Sequence, residues 1–168
     1  MIKKILLIAA LVFPMCAFAQ TLKIGVVNPD EVIQKMPEYT AAQTKFDETS
    51  KRYSDEFTKL QDELKRRYDE INAMPQDELD AIKERKIREF QEYQQKVQQF
   101  QQTAEQEMAK VQQDLMAPIE KKVQDAIRSV GQEGNFSLIQ PNINSFILYY
   151  SAPVVDITPE VKAKLGVN

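Results

Sequence analysis

The fold is decided by FDETSKRYSDEFTKLQDELKRRYDEINAM (residues 46–74), the four residues PQDE (75–78), and the return stretch from Leu79 to Leu115. In the first stretch Phe46, Thr49, Tyr53, Phe57, Leu60, Leu64, Tyr68 and Ile71 follow one another at steps of three or four. Those steps average about 3.6 residues, between the coiled-coil repeat and the straight helix. Pro75 then interrupts, and Gln76 and Asp77 offer a turn and a new helix cap. The return stretch repeats the period through Leu79, Ile82, Phe90, Tyr93, Val97 and Phe100, then Ala104, Met108, Val111 and Leu115. Two long helices of matched period across a tight turn predict an antiparallel helical hairpin over 38–117, with its tip at 74–77.

Outside the apolar stripe the arms are charged, and Glu63 with Arg67 and Glu84 with Arg88 stand at the favourable i,i+4 spacing. The second arm is also rich in glutamine: Gln91, Gln94, Gln95, Gln98, Gln99, Gln101 and Gln102 fall close together. That run reads either as a solvated helix face or as an uncharged, adaptable surface for another polypeptide backbone.

The flanks of the hairpin differ from it. Leu22, Ile24 and Val26 alternate with Lys23, Gly25 and Val27 in strand fashion, and Asn28-Pro29-Asp30-Glu31 opens a helix that Pro37 keeps short. Pro118 either kinks the returning helix or starts a new one, whose apolar face is Ile119, Val123, Ala126, Ile127 and Val130. Gly131 and Gly134 are expected to end it. Strands follow at Phe136–Gln140 and Phe146–Ser151, joined around Pro141-Asn142, and Thr158-Pro159-Glu160 opens a last helix closed by Gly166. The class is α+β: a small sheet-containing body, 20–37 with 118–168, from which the hairpin leaves and to which it returns.

The N-terminus reads as an export signal. Lys3 and Lys4 precede the apolar run Ile5–Phe13, and Ala17-Phe18-Ala19 supplies a small-x-small cleavage pattern, so residues 1–19 are the leader and Gln20 the mature start. The run is too short for a bilayer span. Cys16 lacks the small residues that lipid attachment needs before it. Removing the leader removes the single cysteine, and the whole chain has no histidine. Thiolate chemistry, imidazole acid–base work and Cys- or His-based zinc sites are thereby excluded. No cofactor is expected.

The net charge is −3, and losing two leader lysines makes the mature chain more acidic still, which argues against a nucleic-acid partner. Four glycines form no nucleotide-cradling loop. The adjacent acids Asp62-Glu63 and Asp77-Glu78 point in different directions along a helix and make poor acid–base pairs. A body of about 70 residues is near the lower limit for one core, and each arm buries only a stripe. Self-association is therefore expected, through strand edges carrying Leu22, Ile24, Val26, Ile147 and Tyr149.

Strand, Met36-Pro37-Glu38-Tyr39, long hairpin, then Pro118-Ile119-x-x-Lys122-Val123-x-x-Ala126-Ile127-x-x-Val130 and Asp156-Ile157-Thr158-Pro159 together resemble the Skp/OmpH family of periplasmic chaperones. The resemblance covers essentially the whole mature chain. It implies a jellyfish-shaped homotrimer, with body strands joined in a common core and hairpins hanging as tentacles around a cavity. It also implies an ATP-independent holding role for unfolded outer-membrane β-barrel proteins. The family's best-known member is strongly basic; this chain is acidic, which weighs against lipopolysaccharide or membrane-surface binding. The residues expected to touch clients are Tyr68, Met74, Ile87, Tyr93 and Met108, with Phe57 and Phe100 assigned to the hairpin core. The rival reading is an envelope adaptor whose hairpin docks one folded partner.

Overall fold

In β1, Ile24–Val27, three of the four residues are buried. β1 is the central strand, with both hydrogen-bonding edges paired: the order is β2-β1-β3, all parallel. β2 is Leu138–Pro141, pairing Ile24 with Leu138, and β3 is Val154–Asp156, pairing Ile24 with Val154. The computed structural model describes residues 22–142 and 147–167; the leader at 1–19, the mature start at Gln20 and Phe146 lie outside them.

Two expectations about the sheet are corrected by this arrangement. Ile147–Tyr150 is not a strand, and Leu148 and Tyr149 are 94% and 82% exposed. It stays outside the sheet, and the two sides of β1 are taken by Leu138–Pro141 and the unpromising Val154–Asp156. For the same reason Ile24 and Val26 offer no free hydrogen-bonding edge to a second copy, and Leu22 precedes the strand. Among the described residues, the unpaired edges are the outer ones of β2 and β3.

After β1, Asn28 halts the extended chain by accepting the Glu31 N–H on Oδ1 at 3.2 Å. Pro29 fits the first turn of α1, Pro29–Gln34, and Asp30 and Glu31 sit at its positive end. Pro37 then holds Met36 extended at φ −78, ψ 130, so α1 cannot run into α2, Pro37–Asn72. α2 has 36 residues and α3, Asp80–Glu133, has 54. At 1.5 Å per residue α2 alone is about 50 Å long. The turn between them contains Pro75, but Leu79 rather than Gln76 or Asp77 is the residue that precedes α3.

Pro118 neither starts a helix nor ends one; α3 runs through it. Its ring removes a bond to the Asp114 carbonyl, and both residues lie on an exposed part of the helix, where a freed carbonyl is open to solvent. Beyond Pro118 the buried face Ile119, Val123, Ala126 and Val130 closes over Val27, Val32 and Met36. Gly131 does not terminate α3 either. It is buried, and a Cβ there would lie 2.8 Å from Ile139 Cδ1, so glycine lets β2 approach the helix. Gly134 is the cap, and its carbonyl accepts Lys23 Nζ at 2.9 Å.

The C-terminal helix α4, Thr158–Leu165, ends at Gly166 in the left-handed region, φ 70. Asp156 Oδ1 accepts both the Thr158 N–H, at 2.9 Å, and its hydroxyl, at 2.6 Å. Thr158 Oγ1 in turn accepts the Asn28 N–H at 3.0 Å, tying the end of β1 to the start of α4. Ile157 and Val161 complete the core and are fully buried. Truncating Ile157→Ala should cost about 2–5 kcal/mol in urea unfolding, whereas Ile87→Ala, on the exposed arm, should cost under about 1 kcal/mol.

Candidate functional site

The seam between α2 and α3 is aromatic in its middle. The Phe100 ring lies 6.1 Å from Tyr53 and 6.5 Å from Phe57, tilted on the first and stacked on the second. Leu60 and Val97 are buried next to this cluster, and farther out Tyr68 meets Phe90 at 6.0 Å. Between Leu60 and Val97, around the tip, every residue is exposed or half-buried. The stripe read from the sequence is thus present along the arms but closes tightly only in their inner part.

Toward the tip, polar contacts take over. Arg67 lies over the Tyr93 ring at 4.6 Å, Lys86 Nζ reaches across to Glu70 Oε2 at 3.2 Å, and Lys83 Nζ donates to the Gln76 carbonyl at 2.8 Å. Along α2 itself Arg66 pairs with Glu63 at 2.7 Å and with Glu70, and Glu63 also accepts Arg67 Nε at 2.8 Å. The looser Glu84–Arg88 pair is at 3.7 Å. The Arg66 hydrogen bond, followed by the charges of Arg66 and Arg67, lowers the Glu63 carboxyl from its ordinary 4.5 to about 2. A general acid needs the opposite shift, so the Asp62-Glu63 pair is built for charge pairing.

The arms have two unlike flanks. On one, a shallow groove of about 290 Å³ has Tyr53, Phe57, Phe100 and Met108 in its lining, with Ser50, Ser54 and Gln101 beside them. On the other stand Arg52, Glu56, Lys59 and Lys96, with Lys59 and Glu56 paired at 3.5 Å and Lys96 5.5 Å from the Tyr93 ring.

A family model described as Outer membrane protein (OmpH-like) matches residues 23–165, nearly the whole of the chain. The chain belongs to this family. No curated protein matches it. OmpH-like membership supports a chaperone-type role of the periplasmic kind, associated with outer-membrane proteins, in a family that is not enzymatic. The mixed fold of long helices on a small sheet agrees with that membership.

Against the OmpH-like frame the expected contact residues fall into different settings. Tyr68 is 54% and Ile87 42% exposed. Met74 is half-buried in the turn, Met108 lines the groove, and Tyr93 is covered by Arg67. The groove itself, including Ser50 and Ser54, was missed in the sequence reading; the available signal was the lack of charge on that flank. The ionic tip yields a pH prediction. A carboxyl whose folded pKa is depressed stabilises above its unfolded value and loses that effect as pH falls through the folded one. Protection against hydrogen exchange at 63–93, taken relative to the intrinsic rate at each pH, should therefore be unchanged from pH 8 to about 5.5 and fall as pH drops from about 4.5 toward 2. Glu63→Gln should speed that exchange at neutral pH and flatten its response to acid.

Proposed function

We propose that the chain, exported by its leader at 1–19, is an ATP-independent holding chaperone of the periplasm. Its clients are unfolded outer-membrane β-barrel proteins. Three copies associate through the body, 20–37 with 118–168, and their hairpins, 38–117, surround a cavity that keeps one client from the next. The hairpin carries this reading: two arms that bury a narrow stripe against each other and present long, mostly exposed flanks, reaching far beyond anything the body's own core uses.

The physical problem such a protein answers is the aggregation of barrel strands whose lipid-facing side chains meet water before they meet a membrane. Many weak contacts along several arms hold such a chain firmly while each contact exchanges quickly. Tyr68, Met74, Ile87, Tyr93 and Met108 are the proposed points of contact. Self-association falls to the outer edges of β2 and β3 and to the exposed Leu148 and Tyr149, with Leu22 beside them and Ile24 and Val26 supporting the sheet from within. The acidic charge of the chain gives it no attraction to anionic lipid surfaces.

The test is dilution of a urea-unfolded β-barrel protein with and without the purified chain, followed by light scattering. Suppression at about one trimer per client supports the reading; unchanged scattering together with capture of one folded envelope protein would instead establish an adaptor. The molar mass in solution should be that of a trimer. The double variant Leu148→Asp/Tyr149→Asp should shift it to the monomer and abolish suppression while leaving helical circular dichroism in place.

A further inference from the structure

On α3, Ile87, Gln91, Gln94, Gln98, Gln101, Glu105 and Met108 succeed one another at steps of three or four and so form one row along the helix. Gln95, Gln99, Gln102 and Gln106 form the row behind it, and all eight glutamines are exposed. From Gln91 to Met108 the one charge in the first row is Glu105, which accepts Gln101 Nε2 at 3.3 Å, and Glu92, three residues before Gln95, heads the row behind. The groove places Ser50 and Ser54 of α2 on the same side, where Thr58 and Gln61 continue an uncharged row. Arg52, Glu56, Lys59 and Lys96 stand on the opposite flank, and ion pairs gather toward the tip.

We infer that this neutral flank is the face that takes the client, and that its occupant is an extended, weakly charged polypeptide segment with alternating apolar side chains. The inference rests on the chaperone reading and deepens it. A primary amide presents both a donor and an acceptor, as a peptide group does, so a glutamine row satisfies unpaired backbone N–H and C=O groups in either orientation and register. A lysine or glutamate row satisfies only one kind, and it loses hydration of a full charge when a weakly charged chain covers it. Solubility alone does not require amides here, since the rest of the arms achieves it with charge.

The lengths agree. Ile87 to Met108 spans roughly 30 Å at 1.5 Å per residue, which an extended chain covers in about nine or ten residues at about 3.3 Å each. A membrane-barrel strand is about 9–11 residues long. Its alternation then sends apolar side chains toward Phe57, Phe100 and Met108 and leaves polar ones toward the glutamines.

The experiment compares three variants of the mature protein in the light-scattering assay, each checked for unchanged helicity and molar mass. Gln94→Glu/Gln98→Glu/Gln101→Glu places three negative charges on the flank. Arg52→Gln/Lys59→Gln/Thr103→Glu makes the same change in net charge on the opposite flank. Gln94→Asn/Gln98→Asn/Gln101→Asn keeps the amides. The first should need about fivefold more protein or worse for half-suppression, and the other two should match the parent. A photo-cross-linker attached at Gln98→Cys should label the unfolded client, and one at Thr103→Cys should not. Equal suppression by all variants, or equal labelling from both positions, overturns the neutral-flank assignment and leaves the chaperone reading intact. A parent protein that suppresses nothing ends both.

Discussion

One uninterrupted stretch of α3, from Leu115 to Val130, packs in two ways at once. Before Pro118 its apolar residues face a single partner helix along a strip one side chain wide. After Pro118, Ile119, Val123, Ala126 and Val130 are enclosed by β1, α1 and α4. Because the backbone does not break between these regimes, the direction of the arm is set by how the body's core closes. Lys122 and Glu38, at 2.6 Å, fasten the start of α2 against the same stretch. A change in the body core therefore moves the arm as a whole, with the helix as the lever.

Going outward from that fastening, the hairpin changes character. Aromatic stacking around Phe100 gives way to half-buried pairs and then to ions, and ions exposed to water contribute little once screened. Cohesion is thus graded, firm at the root and loose at the tip, and a protein that must accommodate partners of unlike shape has use for that gradient. The uneven spread of charge and amide around the arms adds a second, transverse asymmetry: one flank carries mainly ionic groups and the other mainly exposed amides and hydroxyls.

The helices were legible because their signals are local and repeated. Steps of three and four continue for many turns, Pro29 and Pro37 each fix φ wherever they stand, and Gly166 admits the left-handed turn that ends a helix. The sheet was less legible because pairing is a competition among distant segments. Ile147–Tyr150 has the better strand composition, but Val154–Asp156 lies two residues before the Thr158 hydroxyl that binds the end of β1, and that anchor delivers it to the open edge. Pro118 was ambiguous for a related reason: whether a proline stops a helix depends on whether the carbonyl it orphans faces water. The family was readable from Met36-Pro37-Glu38-Tyr39 and the Pro118–Val130 pattern, and of the contact surface only the glutamine run could be seen in advance. Its partners Ser50 and Ser54 carry no sequence signature, since serine on a helix surface is common and meaning comes only from what stands across the seam.

The sheet that seats the first described strand between two strands from the far end of the chain also dictates an order of events. Lys23 and Gly134 are bonded across 111 positions and Asn28 and Thr158 across 130, so no native partner for β1 exists until the last part of the polypeptide has emerged. Contacts that distant close slowly, whereas the hairpin's own contacts are nearer in sequence and need not wait. A chain threaded N-terminus first through a narrow channel would thus keep its body open throughout its passage, and its topology doubles as a delay that keeps it threadable.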